Sequence, residues 1–461
     1  MAVISLRNAD REPTVWGPSR CLIAATALAG FVGVPLGALL GYWSTTGQVA
    51  SVPWVGLIQA HGQVQLFGWL GLAILGVTFH AMANLFRTRE APDRMVHVVL
   101  ALQVVGIALR VAAPFTPAAP SALGAWVLVG SATALLAAFA FTLAAHVQTL
   151  PRRDPSSRGP AVLPRFLLVG LMLWLVALLV NLDGAINALR LGLVAPGALS
   201  ATRDALIVAA MTNGLPMIAL GMSLRVVVGW TDLPTADLGR AAQAWWPLTL
   251  AVLLRAAVPG VEVFSETGGH VVTAVGGLLW GLGVFWYLPV LRGLWSSSSV
   301  RVGGGAGGEA DPPLAWFVRT AYGWFVLTGV LAAVQSLLAV GQVAGLVTSP
   351  PSTIADVARH ALLLGYLGTL TAGLSGRLPS AFLDVGDAAL AGTGPFYRAA
   401  WLLLLTATVL RVIAPLAGEA QSWLVAASGM LGALALWSLL VVMVRIALAA
   451  TQREQRRGAT P

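Results

Sequence analysis

The sequence predicts an all-α integral membrane protein, twelve transmembrane helices in three pseudo-repeats of four. Three observations carry that expectation. Of the 461 residues, 57% are hydrophobic and only 10% charged, with a mean hydropathy of +0.83, far outside the range of a soluble domain of this length. Apolar runs of about 20 residues, enough to cross roughly 30 Å of hydrocarbon as a helix, recur along the whole chain. One pattern also returns every fourth run: Arg110-Val-Ala-Ala-Pro114, Arg255-Ala-Ala-Val-Pro259 and Arg411-Val-Ile-Ala-Pro415 close the third, seventh and eleventh runs, as an internal repeat would.

In chain order the runs cover 21–43, 57–85, 94–115, 121–148, 163–188, 203–229, 241–260, 270–294, 314–347, 357–382, 396–416 and 422–450. They are continuous rather than alternating, and a lipid-exposed backbone must satisfy itself, so helices are expected and barrel strands are not. The first run is too long for a signal-peptide core and is followed by Gly41-Tyr42-Trp43 rather than a small-residue cleavage site, so it is expected to be retained. The lone cysteine, Cys21, leaves no disulfide framework and no cysteine metal cluster. The two most loop-like segments, PRRDPSSRGP at 151–160 and SSSSVRVGGGAGGEADPP at 296–313, divide the chain into repeats at 1–150, 151–300 and 301–461.

The chain has no lysine, so its 27 positive side chains are all arginines. With the N-terminus inside, 21 of the 27 fall on the inner side. That bias predicts a multi-pass protein of a bacterial-type cytoplasmic (inner) membrane with both termini cytoplasmic. The net charge of +9 then reflects orientation and anionic inner-leaflet lipid; no basic patch stands apart from the spans, so nucleic acid is not an expected partner. Six arginines remain on the outer side: Arg110, Arg190, Arg203, Arg255, Arg359 and Arg411.

The second helices of the repeats can be overlaid. A shift of 297 residues places Leu66, Gly68, Leu70, Gly71 and Gly76 on Leu363, Gly365, Leu367, Gly368 and Gly373, with Trp69 on Tyr366. The middle copy matches more weakly, Leu75 and Gly76 falling on Leu220 and Gly221, and His80 falls on Arg225 and Arg377. Glycines at these positions are expected to let helices approach closely. Gly68 carries a second expectation: seven residues after His61, it would share a helical face with it and let a flat ligand lie against the backbone.

Six histidines sort by topology, His61, His270 and His360 toward the outer side and His80, His97 and His146 toward the inner. His61 and His80 are 19 residues apart, roughly 28 Å along a helix, so they cannot share a metal. The inner three are expected to be interface residues near helix ends. Glu262, Glu266 and His270 are spaced to share one helical face and bind a metal, but a solvated outer loop is the simpler expectation. His61 and His360 occupy nearly homologous places that pseudo-symmetry would bring around one interior, His360 overlaying Gln63. Two imidazoles from facing helices suit bis-histidine ligation of a heme iron, whose propionates need cations at the watery side. Arg110, Arg359 and Arg411 are the candidates, against simple snorkelling to lipid phosphate.

The twelve-span plan with three four-helix repeats resembles the catalytic-subunit fold of the heme-copper oxidases, and H61-G-Q-V-Q-L-F-G-W-L-G71 and H360-A-L-L-L-G-Y-L-G-T-L-T-A-G-L-S-G-R377 resemble motifs of the NnrS family. The resemblance implies that His61 and His360 are axial ligands of a low-spin heme, b-type, in a protein connected with nitric oxide. Relatives usually carry a second histidine where this chain has Gln63, the high-spin heme histidine position falls on Ala358, and spans 6 and 7 hold no histidine. An oxygen-reducing heme-copper centre is therefore not expected, and few ligands remain for copper. The expected function is nitric oxide binding or response, or electron transfer with a redox partner. Two rivals stand beside it. One is a cofactor-free secondary transporter using Asn181, Asp183, Asn187 and Asp204; the other is a heme-less structural or assembly relative of the oxidases.

Overall fold

Where no water reaches, backbone groups pair along their own helix, and the computed structural model is helical throughout with no strand among the described residues. Those residues are 16–86, 91–116, 122–149, 162–192, 195–224, 226–227, 236–291, 294, 312–346, 352–383, 385 and 392–458. The spans are α1 (Trp16–Thr45), α2 (Trp54–His80), α3 (Asp93–Phe115), α4 (Ala122–Gln148), α5 (Val162–Leu191), α6 (Ala201–Ser223), α7 (Leu238–Phe264), α8 (Glu266–Val290), α9 (Leu314–Val343), α10 (352–375), α11 (Gly394–Leu416) and α12 (Gly418–Arg456). Eleven are long and apolar enough to cross a membrane; α10 is the other, its first turns carrying Asp356, Arg359 and His360.

Several boundaries differ from the hydropathy reading. Helix α10 starts at Ser352 and ends at Ser375, where Gly376 and Arg377 form a turn before a short helix at Leu378–Phe382, rather than running over 357–382. The polar stretch STIADVARH is helical although it is not apolar, and Pro379 opens the next helix, where its missing N–H costs nothing. The helical face proposed for Glu262, Glu266 and His270 does not exist: Ser265, extended at φ −159°, separates α7 from α8 and caps α8 by accepting from Gly268 N at 3.0 Å. The segments that would separate the repeats, 151–160 and most of 296–313, lie outside the described residues, as does Arg225.

Sequence neighbours pack side by side, and α12 closes the ring against α1. Inside that ring lie α2, α6 and α10, which touch one another pairwise. The apolar windows of α2 and α6 are 78% buried, against 28–56% for the other nine spans measured. The ring helices carry exposed apolar groups such as Phe285, Leu337 and Trp246, the surface a bilayer would cover. The glycines of α2 and α10 serve this packing: a Cβ on Gly71 would lie 3.0 Å from Trp174, on Gly365 2.7 Å from Trp324, on Gly368 2.9 Å from Trp69, and on Gly373 2.5 Å from Phe317.

Two of the inner helices share an irregularity. Each contains an eight-residue π segment, Val64–Gly71 in α2 and Ala361–Gly368 in α10, and the second begins 297 residues after the first (64 to 361). The middle inner helix, α6, stays α-helical and carries Pro216 instead. A shorter π segment, Ala29–Gly33, interrupts α1. The terminal patterns of α3 and α11 also agree, Ala113–Phe115 and Ala414–Leu416 tightening into 3-10 turns after the arginine. In α7, Pro259 remains inside the helix.

Candidate heme cavity

His61 and His360 line one cavity of about 450 Å³ enclosed by α1, α2, α10, α11 and α12, with Asp204 and Val208 of α6 on its wall. That volume lies within the roughly 300–1,000 Å³ typical of ligand pockets. His61 packs over Gly37 of α1, where a Cβ would sit 2.6 Å from the imidazole Cε1; only glycine leaves room for the ring. Its Nδ1 lies 2.8 Å from the Gly33 carbonyl, which ends the π segment of α1. His360 Nδ1 lies 2.9 Å from the Asp356 carbonyl one turn earlier and 3.2 Å from its carboxylate. Carbonyl oxygens only accept, so each Nδ1 carries the proton and each Nε2 keeps its lone pair. A ligating histidine is usually oriented this way, one nitrogen donating to a carbonyl or carboxylate and the other bound to metal.

The three candidate propionate partners separate. Arg359 and Arg411 line the cavity, and Arg411 donates to Asp356 Oδ2 at 3.0 Å, so one carboxylate bridges the histidine and the arginine. Arg110 does not line it. It is 1% exposed and donates to Gly197 O at 2.7 Å and to Gln59 Oε1 at 3.2 Å. Gln59 in turn accepts from Leu199 N at 2.8 Å and donates to Leu199 O at 3.0 Å, so Arg110 and Gln59 tie the connection between α5 and α6 to α2 and α3. Gly197 sits there at φ +64°, and a Cβ on it would lie 2.4 Å from Pro114 N, two reasons for glycine. Sequence reasoning placed Arg110 near a ligand because it marked the charge; the unpaired carbonyls of a loop 87 residues away leave no trace in local sequence.

Gly68 is likewise away from the cavity, its Cα facing Ile107 and Val64. The seven-residue spacing from His61 restores a face only at 3.6 residues per turn, and the π segment from Val64 onward holds more residues per turn. Two residues that the sequence reading passed over matter more. Asp356 had a signal, standing four residues before His360 on the same helical face; Gly33 had none. Gln63, the overlay partner of His360, is fully buried with neither side-chain atom hydrogen-bonded among the described residues.

The remaining histidines lie elsewhere. His97 contacts Arg20, His80 stacks on Phe382 with ring centroids 4.3 Å apart, and His146 on Phe79 at 5.3 Å. His270 faces Glu266 at 3.8 Å, and no group of three or more His, Cys, Asp or Glu able to hold a metal occurs among the described residues. Asp183 pairs with Arg203 at 2.7 Å and accepts from Asn187 at 3.0 Å. A second cavity, of about 690 Å³, lies beside the first between α2, α6, α7, α8, α9 and α10; Trp54, Ile58, Gln59, Asp204, Val208 and Arg359 line both.

The fold is similar to a solved structure of a heme-copper terminal oxidase, described with its dimer, at a TM-score of 0.58 and 12% sequence identity, over 92% of this chain and 84% of that one. The chain is therefore a multi-pass, all-helical membrane protein with a heme-copper-oxidase-like fold. No family model and no curated protein matches it.

Proposed function

We propose that this chain, NnrS-like in its motifs, binds a b-type heme between α2 and α10, which His61 and His360 would hold by the iron as the matching histidines of the heme-copper oxidases hold their low-spin heme. The observation that carries this is the paired orientation of the imidazoles: both Nδ1 atoms are engaged by carbonyls, and both residues line one cavity. Arg411 and Arg359, on the same wall, are the cations for the propionates. The heme supplies one-electron chemistry or a site for a diatomic gas. The protein's own part is to hold the rings in place, to keep Nδ1 protonated at both, and to line the site with apolar side chains such as Leu66, Leu363 and Val425.

With both imidazoles holding the iron, no open position would remain for a gas such as nitric oxide, so electron transfer to a redox partner or gas sensing would fit better than turnover. Three repeats of four helices and an inner-membrane location with cytoplasmic termini complete the proposal, placing the histidines toward the outer side. Copper is not part of it. An absorbance spectrum of the purified protein, oxidised, reduced and exposed to nitric oxide, tests the core claim. A Soret band that is lost in His61→Ala and in His360→Ala, but kept in His80→Ala, is expected. Colourless wild-type protein, or heme content unchanged in both of the first two variants, would overturn it.

A further inference from the structure

The three Arg-x-x-x-Pro copies end differently. Arg110 donates from its two terminal nitrogens to Gly197 and Gln59, with Nε unpaired among the described residues, and Arg411 donates to Asp356. Arg255 makes no hydrogen bond or ion pair among the described residues; its guanidinium lies over Trp280, 5.3 Å from the ring centroid. Trp280 is fourteen residues into α8 (Glu266 to Trp280), about 21 Å along an axis of about 37 Å. The guanidinium thus points toward the middle of the span instead of snorkelling to its nearer end. An intramembrane charge without a partner is costly and marks a binding role.

Arg255 lines the second, 690 Å³ cavity. The charged groups on that wall are Arg255, Arg359 and Asp204, one positive charge in excess. Thr212, also lining it, is 7% exposed and its hydroxyl has no partner among the described residues, and Gln335 adds an amide. Beside Thr212, the Asn213 Nδ2 donates to Ala209 O at 2.8 Å and its Oδ1 is unpartnered, a place for a hydroxyl or water accompanying the ligand.

We propose that this cavity is a binding site for a small monovalent oxyanion, a carboxylate or an inorganic oxyanion, held by the Arg255 guanidinium with Thr212 donating to it. A planar fork of N–H donors matches two oxygens of such a group. The site adjoins the histidine cavity, with which it shares Asp204 and Arg359, while Arg255 and Thr212 line only this one.

Titration calorimetry and thermal unfolding of the detergent-solubilised protein, with sodium acetate and sodium nitrate as separate probes at constant ionic strength, test it. Wild type should bind one of the two saturably at one site per chain and unfold at higher temperature in its presence; which one binds distinguishes organic from inorganic oxyanions. Arg255→Gln should lose at least tenfold in affinity, Thr212→Val several-fold, and Asp204→Asn should bind more tightly. Arg255→Gln should also be no less stable than wild type without anion, since it removes an unpaired charge; if it fails to fold, Arg255→Lys, which keeps charge but not the fork, should weaken binding several-fold. Absence of saturable binding of either probe to wild type, or equal affinity in wild type and the Arg255 variants, would overturn the proposal.

Discussion

Asp356 offers a graded test of the histidine cavity. Its backbone carbonyl and one carboxylate oxygen both face His360 Nδ1, at 2.9 and 3.2 Å, while the other carboxylate oxygen holds Arg411 at 3.0 Å. Asp356→Ala keeps the carbonyl and removes the rest. Loss of an outer-shell partner of a ligating histidine typically costs 10–100-fold in affinity. The surviving carbonyl keeps Nδ1 protonated, and the carboxylate is 29% exposed, so water screens part of its effect. The expectation is therefore the lower end, about tenfold or about 1.4 kcal/mol. Asp356→Asn retains an acceptor for His360 but turns an amide toward Arg411, and should fall between wild type and alanine. Titration of heme-free protein with hemin, followed at the Soret band, gives the affinities. An Asp356→Ala affinity within twofold of wild type, with His360→Ala abolishing binding, would show that Asp356 does not orient the ligand.

Two further substitutions probe the surroundings. Gly37→Ala places a methyl 2.6 Å from His61 Cε1, so the ring must shift and hemin affinity should fall roughly tenfold by loss of ligand alignment; Gly323→Ala, where a Cβ meets nothing within 4 Å, is the control and should leave it unchanged. Gln63→Leu replaces a fully buried amide lacking hydrogen bonds with an apolar group of similar size, and should stabilise the protein by roughly 1–3 kcal/mol. A lower unfolding temperature for Gln63→Leu would mean that the amide has a bound partner.

The fold could be read because bilayer physics narrows the choices: continuous apolar runs have one solution, and Gly71, Gly365, Gly368 and Gly373 fall where a neighbouring tryptophan or phenylalanine needs space. Helix α10 was misplaced by several residues because hydropathy cannot see a polar turn that is helical, and the same turn holds Asp356 and His360. That His61 and His360 line one cavity could be expected from the overlay of α2 on α10. Their supports could not, since Gly33 and Gly37 act through a carbonyl and through an absent side chain contributed by α1. Gly68 failed because periodicity assumes a uniform helix, and Arg110 because its partners are on a distant loop.

The paired π segments impose a constraint on how this chain can change. An α-helix advances about 100° per residue and an i→i+5 segment less, so relaxing Val64–Gly71 to an α-helix at unchanged length would turn everything beyond it by on the order of 100° relative to His61, whereas removing one residue at the same time would nearly restore the phase. At unchanged length, Leu72 to His80 would then offer different sides to α1 and α4, while the histidine kept its place over Gly37. Insertions and deletions in α2 and α10 should accordingly be tolerated only in matched form, as compensated changes that preserve phase, whereas the ring helices can slide or lengthen at their ends. The phase of the inner helices, more than the identity of any one apolar residue, is what ancestry would have to conserve.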